Sequence, residues 1–348
     1  MAVYIGVDFH AQQQTLSYLT TEVGEIVRIQ LDHRQMGEVR KFYEQFAGQQ
    51  VVVGFEASGY AAWFEELLEE LGCEIWIGDA TAIRSFARRR QKNDRRDADL
   101  ILDLLVRGDF PRIHRYSPAS REVLQQLRYR QRLVKMRTMI INSLRFMVTS
   151  RGINFRSRVQ SRRGQMQLQQ LALPEPLRSQ RDELLVLLGE LNIRIENIDA
   201  WLAAKAESDE RVRRLRTHYG IGVLSGLCLV ATLESVERFA NPRKVTGYVG
   251  FDPVEDSSAD RRRIGAISKQ GSRLLRFYLV EAGQIAIRKD QELARVYKKL
   301  TIRRGHAKAK AAVARRLLVR AFIMLRDEID YDEFHRRGVA ARSSRCTP

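Results

Sequence analysis

Four acidic residues near the start of the chain have the types and spacing for phosphodiester chemistry: Asp8, Glu56, Asp94 and Asp97. Asp8 ends the apolar run Val3-Tyr4-Ile5-Gly6-Val7, and Glu56 ends a second one, Val51-Val52-Val53-Gly54-Phe55. A carboxylate at the tip of a buried strand loses solvation unless something compensates it. Asp94 and Asp97 fall in Lys92-Asn93-Asp94-Arg95-Arg96-Asp97-Ala98, where a helix is expected to begin, and their spacing of three puts both on one helical face. If the strand tips meet that face, four carboxylates converge. Their repulsion is then relieved by cations, and hard oxygen ligands with room for water suit Mg²⁺. Paired Mg²⁺ ions are a common means of in-line phosphodiester cleavage. The plainer alternative is that Asp8 and Glu56 close strands while Asp94 and Asp97 favour a helix dipole; these residues alone leave both open. His10, two residues past Asp8, reads as a surface histidine or else as a contact to the metal site, and His114, His218 and His306 show no metal-ligand spacing.

A second constellation lies in Pro253-Val254-Glu255-Asp256-Ser257-Ser258-Ala259-Asp260-Arg261-Arg262-Arg263, followed by Lys269, Arg273 and Arg276. A serine hydroxyl is a poor nucleophile until its proton is removed and the developing charge is met. Guanidinium forks match phosphate oxygens. From spacing alone, a phosphate-contacting turn is the better reading of this segment than a catalytic serine.

The elements that must carry these residues divide the chain into α/β and α parts. Residues 1–110 read as mixed α/β: strands at Val3–Asp8, Gln14–Thr20, Glu25–Leu31, Val51–Glu56 and Cys73–Ile77, with helices at Tyr60–Leu71 and Asp94–Val106. Three early strands followed by helix-separated ones is the order of a ribonuclease-H-like domain. Residues 111–210 read as a basic helical region. Leu133, Met136, Ile140, Leu144 and Met147 form an amphipathic stripe, and fourteen Lys/Arg face one acid, Glu122, between Pro111 and Gln165. After Pro174 and Pro176, the positions Leu177, Leu184, Leu188, Leu191, Ile195, Ile198 and Leu202 approach a heptad pattern, which fits a dimerising coiled-coil arm or an ordinary bundle helix. Residues 211–335 read as a mainly helical C-terminal domain. Its Gly220-Ile221-Gly222 turn reads either as a helix-hairpin-helix, a device that holds phosphate on backbone amides, with Tyr219 in place of the usual proline, or as a Gly-rich turn joining two packed helices. Twelve Lys/Arg between Arg288 and Arg320 offer a further backbone contact. Residues 336–348 read as a mobile basic tail.

A net charge of +18 and a pI of about 10.2 favour a polyanionic partner. No apolar stretch is long enough to span a bilayer and the N-terminus opens on a strand, so no membrane partner and a cytoplasmic, nucleoid-associated location are expected. Cys73, Cys228 and Cys346 are scattered, which fits a reducing compartment.

Gly250-Phe251-Asp252-Pro253, then Ser257-Ser258, then Arg-Arg-Ile-Gly-Ala-Ile-Ser-Lys-Gln-Gly and Leu-Leu-Arg resembles the C-terminal domain of the insertion sequence 110 family of transposases, understood as bridge-RNA-guided serine recombinases. Ile-Gly-Val-Asp8, Phe-Glu56-Ala-Ser-Gly-Tyr and Lys-Asn-Asp94-Arg-Arg-Asp97-Ala resemble the same family's RuvC-like acidic tetrad. The resemblance implies Mg²⁺ on Asp8, Glu56, Asp94 and Asp97. It also implies a serine nucleophile that becomes covalently joined to DNA, whose register falls on Ser258. Ala259 stands where the family commonly has glycine, which leaves Ser257 as an alternative. Arg261, Arg262, Arg263, Lys269 and Arg273 become candidate nucleic-acid contacts. The implied partners are element-end and target DNA, a structured guide RNA, and further copies of the chain as a dimer or tetramer. A site-specific invertase of the same family and a RuvC-like nuclease without serine catalysis are the rival activities.

Overall fold

The computed structural model describes residues 2–22, 24–87, 94–255 and 264–346; for residues 94, 95, 255, 264 and 339–346 it describes the backbone only. The chain forms two compact units, Met1–Arg115 and Tyr116–Pro348.

In the N-terminal unit, β1 (Ala2–Phe9), β2 (Gln13–Thr20) and β3 (Ile26–Asp32) form an antiparallel meander, followed by α1 (Met36–Glu44). Next come β4 (Gln50–Glu56), α2 (Ala62–Glu70), β5 (Glu74–Gly78), α3 (Ala80–Ser85) and α4 (Asp94–Arg107). β4 lies parallel to β1, and β5 parallel to β4, giving the five-stranded order β3-β2-β1-β4-β5. This mixed sheet is consistent with the RuvC-like expectation. Side chains alternate across a sheet, and here the alternation sorts two cores. Val3, Ile5, Val7, Val51, Val53 and Phe55 pack with Val39, Phe42, Tyr43, Phe64 and Leu68 from α1 and α2. Tyr4 and Val52 point the other way, to Ile83, Ile101, Leu104 and Leu105 of α3 and α4. Helix α1 escaped the sequence reading because its apolar content is small; only Val39, Phe42 and Tyr43 are buried.

The C-terminal unit begins with α5 (Pro118–Thr149), started by Ser117, whose hydroxyl accepts from the Ser120 amide, and by Pro118 in the first turn. After α6 (Arg162–Gln170), α7 (Leu177–Ser208) runs back along α5. Leu133 meets Leu191 and Ile195, Leu144 and Val148 meet Leu185 and Leu188, and Leu127 joins Leu202 in the main core. Of the heptad-like positions of α7, Leu188, Leu191, Ile195 and Leu202 are thus buried in clusters shared with α5 of the same chain, an intramolecular antiparallel pair; an intermolecular arm is not needed to explain that burial.

Helix α8 (Glu210–Arg216), α9 (Val223–Leu233) and α10 (Pro242–Val249) follow, then the two-stranded hairpin β6 (Pro253–Glu255) and β7 (Ile264–Ile267). Helices α11 (Arg273–Ala286), α12 (Gln291–Arg304), α13 (His306–Arg326) and α14 (Tyr331–Cys346) complete the unit. Its core gathers α9, α11 and α13 through Leu229, Leu233, Leu275, Leu279, Leu318 and Phe322. The backbone of α14 is helical to Cys346. The helix is started by Tyr331, whose amide bonds Thr217 Oγ1 at 2.9 Å and whose hydroxyl bonds Asp290 at 2.7 Å.

Candidate active site

Two glycines decide where the N-terminal carboxylates go. Gly6 faces α4 so closely that a Cβ would lie 2.6 Å from the Ala98 carbonyl oxygen and overlap the Leu102 amide nitrogen. A Cβ on Gly54, its cross-strand partner, would lie 2.8 Å from the Leu105 side chain. Asp8 is two residues beyond Gly6 and Glu56 two beyond Gly54, so both carboxylates share the α4 face. The register pairs Val7 with Phe55, one step before them. The same close approach brings the turn carrying Asp97 and Ala98 onto β1. Asp97 is half-buried there. Asp94 is the first residue of α4, and its side chain lies outside the described residues.

Local charge compensates what is visible of this group. Asp8, 15% accessible, is 3.1 Å from Nε2 of His10, a histidine that is itself 38% accessible and so is both at the surface and a partner of the first carboxylate. Glu56 accepts from Arg84 of α3 at 3.3 Å. Asp99, a third acid along α4 that the sequence reading passed over, has a different task. It accepts from Ser17 Oγ at 2.7 Å and from Arg28 Nε at 2.9 Å, tying α4 to β2 and β3. Among the described residues, no three His, Cys, Asp or Glu side chains stand close enough to hold a metal ion. Asp8 and Glu56 supply hard oxygen donors on one face, which is the donor chemistry a divalent cation such as Mg²⁺ requires.

The second constellation sits at a hairpin. Ser257, Ser258, Arg261, Arg262 and Arg263 belong to residues 256–263, between β6 and β7, and lie outside the described residues. The hairpin base is described and tightly built. Gly250 (φ +81°) and Gly271 (φ +82°) oppose the Gln270 and Tyr248 carbonyls with no space for a Cβ, which demands glycine at both. Ser268 donates to Asp252 through its amide at 2.8 Å and its hydroxyl at 2.7 Å. Arg276 Nη1 donates to the Val249, Gln270 and Gly271 carbonyls at 2.8, 2.9 and 3.3 Å, so this nitrogen braces the base of the hairpin. Burial, and then Arg273 nearby, push its pKa below the usual arginine value. Lys269 and Arg273 are exposed on either side of Gly271.

The glycine turn before α9 serves packing. A Cβ on Gly220 would overlap the Ala282 carbonyl, and the Gly222 amide is already bonded to Ser225 Oγ at 2.9 Å. The cations of the basic stretch divide as well. Arg115 pairs with Glu65 at 2.9 Å within the N-terminal unit, and Arg130 bonds Asp199 at 3.0 Å within the C-terminal unit. Part of the surplus is therefore met by acids from outside the stretch. Arg128, Arg132 and Lys135, spaced four and three apart, remain exposed on one face of α5. That spacing was visible in the sequence but was hidden among fourteen cations.

A family model described as Transposase IS116/IS110/IS902 family matches residues 212–298, and a second, a DEDD transposase model of the same insertion-sequence group, matches residues 5–151. The chain is 26% identical over 294 residues to a probable family 20 transposase of Pseudomonas aeruginosa, covering 82% of this chain and 84% of that protein. It is 27% identical over 270 residues to the transposase for insertion sequence element IS1111A of Coxiella burnetii, covering 75% and 74%. Against the transposase for IS1328 of Yersinia enterocolitica it is 25% identical over 244 residues, covering 67% and 70%. An acid-bearing α/β unit and a hairpin-bearing helical unit, each matched in order, define a transposase, a class of DNA-cleaving enzyme. The chain belongs to the IS116/IS110/IS902 transposase family.

Proposed function

We propose that the protein is a DNA recombinase that cuts and exchanges strands through a covalent serine–DNA intermediate. The observation that carries the reading is the cross-strand placement of Asp8 and Glu56 on the α4 face, in a chain whose hairpin segment bears two serines beside three arginines. Asp8, Glu56, Asp94 and Asp97 would hold Mg²⁺, which when bound supplies charge neutralisation at the scissile phosphate. Ser258 Oγ attacks phosphorus, the bond to the 3′-oxygen breaks, and the 3′-hydroxyl leaves with a proton while the 5′-phosphate stays on the serine. The phosphodiester energy is retained in that link, so rejoining needs no external source. Arg261, Arg262, Arg263 and Lys269 would meet the phosphate charge, and the basic helices would hold DNA and a guide RNA in a dimer or tetramer. Ser257 is the alternative nucleophile.

The test is incubation with labelled element-end and target DNA, Mg²⁺ and the RNA flanking the gene, followed by denaturing gels with and without protease. A protease-sensitive adduct lost in Ser258→Ala and kept in Ser257→Ala is the expected result. Free cleaved ends from both variants, with no adduct, would leave a metal-dependent nuclease instead.

A further inference from the structure

The C-terminal unit contains a cleft of about 690 Å³ between α5 and the start of α11. One wall is the row Arg128, Arg132 and Lys135; the other is Gly271-Ser272-Arg273, the first turn of α11, with Phe277 one turn further on. The floor includes the Tyr116 and Tyr248 hydroxyls, bonded to each other at 2.9 Å. Among the described residues, none that lines the cleft is acidic. Among the described residues, none of the four cations forms an ion pair within 4 Å, unlike Arg130 and Arg320, which are paired. Phe277 lies among these cations with 43% of its surface exposed.

Cations in a row set the spacing of a phosphate backbone, and an exposed ring beside them is what an unpaired base stacks on. The volume suits one or two nucleotides rather than a duplex. We propose that the cleft holds an unpaired DNA strand, with phosphates on Arg128, Arg132, Lys135 and Arg273 and a base on Phe277. DNA is favoured over RNA because Gly271 is both a wall of the cleft and the glycine that closes the base of the serine hairpin. A strand bound here lies against the base of the hairpin. This inference rests on the recombinase reading for its biological strand, though not for its binding chemistry.

The probe is a fluorescent single-stranded oligothymidylate of about ten nucleotides, titrated into the full chain at several salt concentrations. A 5-iodouracil version serves for photo-crosslinking. Phe277→Ala is expected to weaken binding about tenfold and Phe277→Tyr to restore it, in line with one stacked base. Arg132→Ala and Arg273→Ala should each flatten the salt slope by about 0.7. Crosslinks should map to α11 near Phe277. Crosslinks elsewhere, with all four variants binding as the parent does, would overturn the proposal. So would a same-sequence RNA that occupies the cleft and is not displaced by DNA. The Ser258 adduct assay runs in parallel. Loss of cleft binding in the variants without any adduct would refute the serine chemistry alone. An adduct with unaffected strand binding would refute the cleft alone.

Discussion

Arg320 of α13 bonds Asp290, the residue before α12, at 2.5 Å, with only 10% and 4% of the two side chains accessible. Asp290 also accepts from the Leu293 amide at 2.8 Å and the Tyr331 hydroxyl at 2.7 Å. Burial opposes its charge, yet these donors together hold the carboxyl down at about 2. A buried ion pair broken on one side leaves the other charge uncompensated. Asp290→Ala is therefore expected to cost about 3–5 kcal/mol, read as a shift in the urea midpoint.

His218 makes the same core sensitive to pH. Its Nδ1–H donates to the Tyr219 carbonyl at 2.8 Å, and Nε2 lies 3.3 Å from Arg320 Nη1, which donates to it. Burial pushes its pKa down to about 4, and Arg320 adds to the effect although Asp290 opposes it. A depressed histidine pKa means that the unfolded chain binds the proton first. Its contribution is complete above the unfolded value of about 6.5 and is lost as pH falls towards about 4. The full span is about 3 kcal/mol. Urea midpoints measured from pH 7.5 to 4.5 should fall, and His218→Gln should flatten that part of the profile.

Gly6→Ala sets a methyl against α4 backbone, whereas Gly54→Ala meets only the Leu105 side chain, which can turn away. The first should cost about 1–3 kcal/mol and the second less. Because α4 carries Asp94 and Asp97, Gly6→Ala should also reduce DNA cleavage more than its melting temperature alone explains.

Asp8→Asn tests the metal assignment without relying on turnover. Titrating Mn²⁺ should raise the melting temperature of the parent chain and leave that of Asp8→Asn flat, and EDTA should abolish cleavage by the parent. Asp99→Asn provides the contrast. It weakens the tie to Ser17 and Arg28 and lowers stability by about 1–3 kcal/mol, yet the Mn²⁺ response should persist.

Much of the N-terminal unit was legible because its strands are apolar runs with acids at their ends, and because Gly6 and Gly54 sit two residues before those acids. Helix α3 was not, since six residues with Ile83 alone buried carry little periodicity. The heptad on α7 was legible as a buried stripe, but periodicity cannot say whether the partner is another copy or the same chain. Arg276 and Asp99 show the limit for charged groups. An arginine that braces carbonyls reads the same in sequence as one that binds phosphate, and an acid that fastens a helix reads the same as one that holds a metal.

Helices α5 and α7 each have 32 residues and pair antiparallel, so the chain travels about 48 Å outward and returns to the level at which it left. The pair therefore behaves as a ruler. Equal numbers of turns removed from both helices would shorten the excursion while leaving Leu127 and Leu202 in the core at its root. The distance at which residues 150–176 are held is set by helix length alone, so it can be lengthened or shortened independently of the chemistry at either site.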